Sequence, residues 1–330
     1  MLTRFQTATS AILAMALASC GSSSVGTATG GGGGGGNPVV PTALLTLNTT
    51  NAQNVASGAT LTGLGASSLG TQFQNALATT PALPRSHVLT RFIAREIGRL
   101  TQGLTSLPPA PLGAAAVTSP CGVSGSVSLD QGTTSATETF SACSETAGSS
   151  VNGTITIDNM TLSPGVSFSG SAGLNLAFSQ TGSADVVVTG SNVNVTETVN
   201  VSINTVTLTG MEIFATTGPL VERLGNYTLV AILDPSTETD DITFNYASTR
   251  IGGSVEVATV TPCITDNADS RNFPHTGVLS LSGAGGSKIQ VTINGDETFT
   301  TSSQVTIGVD ANGDGTFETT ISKNWADLSV

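Results

Sequence analysis

Over residues 122–330 apolar and polar side chains alternate, and this two-residue period does most to fix what the chain can fold into. It is clearest at 124–129 (SGSVSL), 152–157 (NGTITI) and 201–208 (VSINTVTL), with similar runs at 227–232, 278–281, 289–293 and 305–309. Successive side chains of a strand point to opposite faces, so each run has one face to bury and one to leave in water. Turn residues recur about every 10 to 20 positions, which predicts about a dozen strands. The connections are short, and parallel neighbours need long crossovers, so the pairing is expected to be antiparallel. Composition agrees, since Thr and Val suit pleated strands while Gly, Asn and Ser suit the turns between them. A membrane barrel would want aromatic girdles, and two Tyr and one Trp supply them poorly. A solenoid would show a fixed repeat, and the self-similarity is loose (NGTITIDNMTL against INTVTLTGMEI). The expected fold is mainly β: a large curved antiparallel sheet or sandwich over 111–330, with a small N-terminal helical segment, 42–110, packed on it.

Three stretches of that segment carry helical signals. Asn48 or Thr49 is a candidate cap for a short piece at 51–56, and a second piece covers 71–77. The clearest helix spans about 86–104, with Ser86 at its N-cap. Leu89, Ile93, Ile97, Leu100 and Leu104 share one face, while Arg91, Arg95 and Arg99 form a stripe on another. Gly98 and Gly103 each lower helix propensity by about 1 kcal/mol, so packing of the Leu/Ile face on the sheet is expected to hold it. Contact of the arginine stripe with anionic lipid is the lesser reading.

Residues 1–19 have a different logic. One basic residue, Arg4, precedes an apolar run at 11–17, then small residues, then Cys20. That order reads as an export signal. The run Leu17-Ala18-Ser19-Cys20 resembles the lipobox of bacterial lipoproteins. The resemblance implies a Cys20 thiol carrying covalent lipid, palmitate among its acyl chains, on the first residue of the mature protein. Gly21, where an aspartate would retain a lipoprotein in the inner membrane of enteric bacteria, implies the outer membrane, on either of its faces. Residues 20–41 then form a Gly/Ser-rich tether with seven consecutive glycines, Gly30 to Gly36. A flexible tether of about 17 residues spans roughly 20–25 Å.

Charge divides the chain. From Cys121 onward there are 21 acidic and five basic residues, a formal net charge of −16. Such a domain repels phosphate backbones, so nucleic acid is not expected as a partner, while its charge is compatible with divalent cations. Export also favours paired thiols. Cys121 and Cys143 flank two candidate strands (GVSGSVSL and SATETFSA), and a bridge there would stabilise the fold by about 3 kcal/mol. Pairing of Cys121 with Cys263 is the alternative. The run Cys121-Gly-Val-Ser-Gly-Ser-Val-Ser, then Thr139-Phe140-Ser141-Ala142-Cys143 and Val151-Asn152-Gly153-Thr154, resembles a group of β-rich bacterial envelope lipoproteins in which paired cysteines bracket a hairpin. The stretches 51–56 and 310–328 resemble it too. The resemblance brings no activity with it.

One stretch carries site chemistry: Asp310-Ala-Asn312-Gly-Asp314-Gly-Thr316-Phe-Glu318. Oxygen-bearing residues at alternate positions, followed by a glycine for a sharp turn, suit a hard cation such as calcium. The spacing resembles the first nine positions of EF-hand and dockerin loops. That resemblance implies side-chain oxygens from Asp310, Asn312 and Asp314, the carbonyl of Thr316, and Glu318. Ile321 stands where the bidentate glutamate should be, and the flanks read as strands. A hairpin turn without metal is the equal alternative. The acidic stretches at 234–241 and 266–269 are expected to be solvated loops.

Enzymatic chemistry finds little support. The histidines His87 and His275 are isolated, His275 is expected in a turn, and no G-x-S-x-G elbow occurs. The expected function is a non-enzymatic, lipid-anchored cell-envelope protein with a structural or interaction role, calcium-stabilised, whose partners are the membrane and envelope proteins or surface components. The alternative is a carrier that holds an apolar ligand or lipid in an open β half-barrel under the 86–104 helix.

Overall fold

In this computed structural model the described residues are 39–65 and 116–330, apart from 133–134, 145–146, 164–166, 181–184, 200–203, 235, 267–273, 295–303, 325–327 and 329–330. Cys20, the glycine run, His87 and the expected helices at 71–77 and 86–104 lie outside them.

The alternating runs form fourteen strands: β1 (Val117–Pro120), β2 (Ser124–Gln131), β3 (Ala136–Ser144), β4 (Ser149–Ser163), β5 (Ser167–Gln180), β6 (Asp185–Val199), β7 (Asn204–Thr217), β8 (Leu220–Leu233), β9 (Thr237–Ser248), β10 (Gly253–Asp266), β11 (Pro274–Ser282), β12 (Lys288–Asn294), β13 (Gln304–Asp310) and β14 (Thr319–Asn324). Each pairs antiparallel with its neighbour in sequence, so the chain is one open meander with β1 and β14 as its edges. Of the two expected forms, sheet or sandwich, the structure is the single sheet.

One face is buried and mostly apolar from β3 to β13, with the carboxylates of Glu138, Glu238 and Asp240 buried on it too. Cross-strand partners Ile155 and Leu174, Leu176 and Val188, Val188 and Ile213, Leu224 and Tyr246, and Leu281 and Ile289 lie on it, and all are buried. The long central strands keep that face apolar even where strict alternation would fail. Val188 and Val193 of β6, Leu208 and Met211 of β7, and Leu224 and Tyr227 of β8 are all buried although each pair is an odd number of residues apart. Register shifts fall between the members of each pair and restore the phase. Gly210 (φ +88°) and Asn226 (φ +51°) sit at two of these bulges.

A helix, α1 (Ala52–Gly65), lies on the apolar face against β9, β12 and β13. The cap is Asn48 rather than Thr49. Its Oδ1 accepts the N–H groups of Thr50 (2.9 Å) and Asn51 (3.2 Å), while its own N–H donates to Asn51 Oδ1 (3.0 Å). The helix continues to Gly65 instead of ending at 56, through the weak helix formers Ser57, Gly58, Thr60 and Gly63. Packing explains this. A Cβ on Gly58 would stand 2.4 Å from Tyr246 Oη, and one on Gly63 2.3 Å from Phe244 Cζ, so the missing side chains let α1 settle onto β9. Ala52, Val55, Ala56 and Ala59 complete the buried side of the helix. The chain leading into it is tied to the sheet by Leu45 N–H on Ser254 O (3.0 Å) and Leu47 N–H on Ser287 Oγ (2.9 Å).

Candidate functional site

β13 ends at Asp310 and β14 starts at Thr319, so the acidic stretch is a hairpin connection at the C-terminal edge of the sheet. Asp310 is fully buried, and its two carboxylate oxygens organise the loop. Oδ1 accepts the Gly313 N–H at 2.7 Å and Oδ2 the Gly315 N–H at 2.9 Å. Both glycines adopt left-handed backbone, φ +76° and +89°, which favours glycine there. The pattern repeats along the loop: Asn312 Oδ1 accepts the Asp314 N–H (2.8 Å), and Asp314 Oδ1 accepts the Thr316 N–H (2.8 Å). Glu318 closes it from the far side, its Oε2 accepting the Ala311 N–H at 3.2 Å. The backbone donor of Thr316, with Asn312 and the Thr316 side chain, holds the Asp314 carboxyl below its ordinary range.

The alternation of oxygen-bearing residues is therefore used twice. It builds a ladder of side-chain-to-backbone turns, and it brings carboxylate oxygens of Asp310, Asp314 and Glu318 within 4.8 Å of one another. Asp310 is buried, whereas the other two are exposed. A carboxylate oxygen that accepts one N–H keeps a second lone pair, so these three groups retain donor capacity for a hard cation. Asn312 joins the cluster through its Nδ2, which donates to Asp314 Oδ2 (3.1 Å), while Thr316 enters through its N–H. Ile321, at the place of the missing glutamate, pairs with Ile307 across the hairpin and packs on the core.

The opposite edge is braced covalently. Cys121 and Cys143 form a disulfide, with Cα atoms 5.5 Å apart, that joins the β1–β2 connection to the end of β3. The rival pairing with Cys263 does not occur. Cys263 is a buried free thiol on β10 opposite Asp240, pushed up to about 12 by burial and then by Asp240 and Asp241.

Two expectations need correction. The stretch 234–241 is not a solvated loop. Only its start is a turn, where Asp234 Oδ1 accepts the Ser236 N–H (2.9 Å) and hydroxyl (2.7 Å). From Thr237 the chain is β9, in which Glu238, Asp240, Ile242, Phe244 and Tyr246 share one face, and both acids are buried. The two-residue period of Glu-x-Asp-x-Ile-x-Phe-x-Tyr carries that signal, against the charge of the two acids, which favours solvent. His275 is likewise not in a turn; it is the second residue of β11, and its Nε2 is buried. On the other face Arg223 pairs with Glu212 (2.8 Å), whose second oxygen accepts the Asn226 N–H (2.9 Å). No motif marked that group, because it depends on the bulge in β8.

No protein-family model, curated protein or solved structure matches the chain. Among the described residues no helix is long and apolar enough to cross a membrane.

Proposed function

We propose that the chain is a non-enzymatic, lipid-anchored protein of the bacterial cell envelope, tethered through Cys20 to the outer membrane, with a structural or interaction role. The observation that carries this reading is the construction of the body that follows the tether. A single sheet of fourteen strands keeps one face for its core and turns a broad face of hydroxyls and amides outward. Ser150 and Ser179 (2.8 Å) and Asn294 and Thr306 (2.9 Å) hydrogen-bond across strands on that outer face. Such a surface is suited to polar contacts with envelope proteins or surface components. Calcium at Asp310, Asp314 and Glu318 would stiffen the last hairpin. The burial of His275 Nε2 fits a structural side chain better than a general base, which must reach its substrate.

The test is Cys20→Ser in a bacterial host. The reading expects loss of lipid processing and release from the membrane fraction; unchanged fractionation overturns it. The carrier reading has one observation in its favour, the apolar face that runs on from β8 to β3 beyond the strands on which α1 sits. Native mass spectrometry of the purified chain separates the two, because a carrier brings lipid with it.

A further inference from the structure

The β9–β10 ladder is interrupted over its middle. β9 and β10 pair at Ser248–Tyr246 with Gly253–Val255, and again at Asp240–Thr237 with Cys263–Asp266. Between these, five residues of β9 (241–245) face seven of β10 (256–262) with no ladder partners across the gap. Side chains enter where backbone bonds would run: the Ile242 N–H is taken by Thr259 Oγ1 at 3.3 Å, and that hydroxyl bonds Asp241. Pro262 lies within the unpaired stretch and has no N–H to offer a ladder. The β8 bulge opens the other side of β9 at the same level, since pairing jumps from Gly225↔Asn245 to Thr228↔Thr243.

The split leaves a hollow of about 210 Å³ on the polar face, to which Asn226, Thr243, Asn245, Glu256, Ser280 and Ser282 contribute. Phe244 and Val257 also border it, and both are buried among the core side chains. Asn226 is held at φ +51°, a conformation few non-glycine residues adopt, with its N–H on Glu212. An outlier fixed in this way at the rim of a hollow points toward a binding role.

We propose that this hollow binds one neutral sugar unit of a glycan. Four considerations select that class. Amides and hydroxyls offer both donors and acceptors, as ring hydroxyls require. Glu256 is the one charged residue of the lining, so phosphate, sulfate and uronate ligands are repelled. The gap is closed at both ends by restored pairing, so an extended peptide cannot run through it as an added strand. The hollow is about 210 Å³, room for a single ring rather than a lipid chain. The inference does not depend on the membrane anchor.

The test uses the full chain with glucose, galactose, mannose and N-acetylglucosamine, followed by saturation-transfer NMR and titration, with glucuronate and an extended threonine-rich peptide beside them. The expected result is saturable millimolar binding of at least one neutral sugar and at least tenfold weaker binding of glucuronate. Asn245→Ala and Ser282→Ala should each weaken the sugar at least fivefold, and Glu256→Gln should narrow the preference over glucuronate. Asn245 and Glu256 are exposed, so these substitutions leave the core intact. Absence of saturable binding by all four sugars overturns the proposal, as does binding that all three substitutions leave unchanged, or a preference for the peptide.

Discussion

The two edges of this sheet solve one problem in different ways. An edge strand has a neighbour on one side only, so a hairpin at or beside an edge has less ladder around it than a central one. Beside the N-terminal edge, where the four-residue β1 is the outermost strand, β2 and β3 are clamped by the Cys121–Cys143 bond. At the C-terminal edge β13 and β14 are clamped by a buried carboxylate, Asp310, which gathers the connecting loop through two backbone N–H groups. A disulfide stabilises mainly by restricting the unfolded chain and does not respond to pH or ions in the ordinary range. A carboxylate clamp acts in the folded state, through hydrogen bonds that exist only when the loop is closed. The difference teaches that the N-terminal side is fixed once, on oxidation, whereas the C-terminal edge is held by bonds that form and break with the loop itself.

The largest expected effect breaks the covalent clamp. Cys143→Ser should lower stability by about 3 kcal/mol in urea unfolding under oxidising conditions, with faster amide exchange in β2 and β3 than elsewhere. A loss below about 1 kcal/mol would show that the edge is held by its ladder alone. Next, Asp310→Ala removes the acceptor of two charge-assisted bonds inside a buried setting and should cost about 2 kcal/mol. Its exchange signature should be confined to β13, β14 and the loop. An effect within about 0.5 kcal/mol, as at an ordinary surface position, would remove the carboxylate clamp from the comparison. Calcium sharpens the contrast further. At tenfold above its dissociation constant the ion should raise stability by about 1.4 kcal/mol, through linkage, and should do so in Cys143→Ser but not in Asp314→Ala/Glu318→Ala. Equal shifts in both variants would place any bound ion elsewhere.

How much of this was legible in sequence depends on whether neighbours along the chain or across it decide. The strands at 124–129, 152–157, 289–293 and 305–309 could be read from alternation because one pleat sets the pattern locally. The disulfide pair was legible for the same reason, being the two ends of one hairpin. The Asp310 loop was legible as spacing, yet sequence could not say that its oxygens accept backbone N–H groups as well as converging. β9 was missed at its acidic start because Glu238 and Asp240 look like surface residues, although their two-residue spacing with Ile242, Phe244 and Tyr246 puts them on the buried face. The β9–β10 split was invisible as well. It arises from a mismatch of five residues against seven between two strands, and no single strand records it.

Acid gives the smallest effect and the finest test of the two clamps. Asp314 is held below the ordinary carboxylate value of 3.8, chiefly by the Thr316 N–H. A group whose folded value is depressed adds stability above its unfolded value, and that contribution is lost as pH falls through the folded one. The loop should therefore stay ordered at pH 5 and loosen only below about pH 3.8. Asp234, held down by Ser236 in the β8–β9 turn, serves as an internal control for a carboxylate turn away from the edge. The Thr316 amide shift, followed by NMR from pH 6 to 2, should report a midpoint below 3.8 that vanishes in Asp314→Asn. A midpoint at or above 3.8 would mean that the Thr316 bond does not favour the charged form, and the C-terminal clamp would then rest on Asp310 alone.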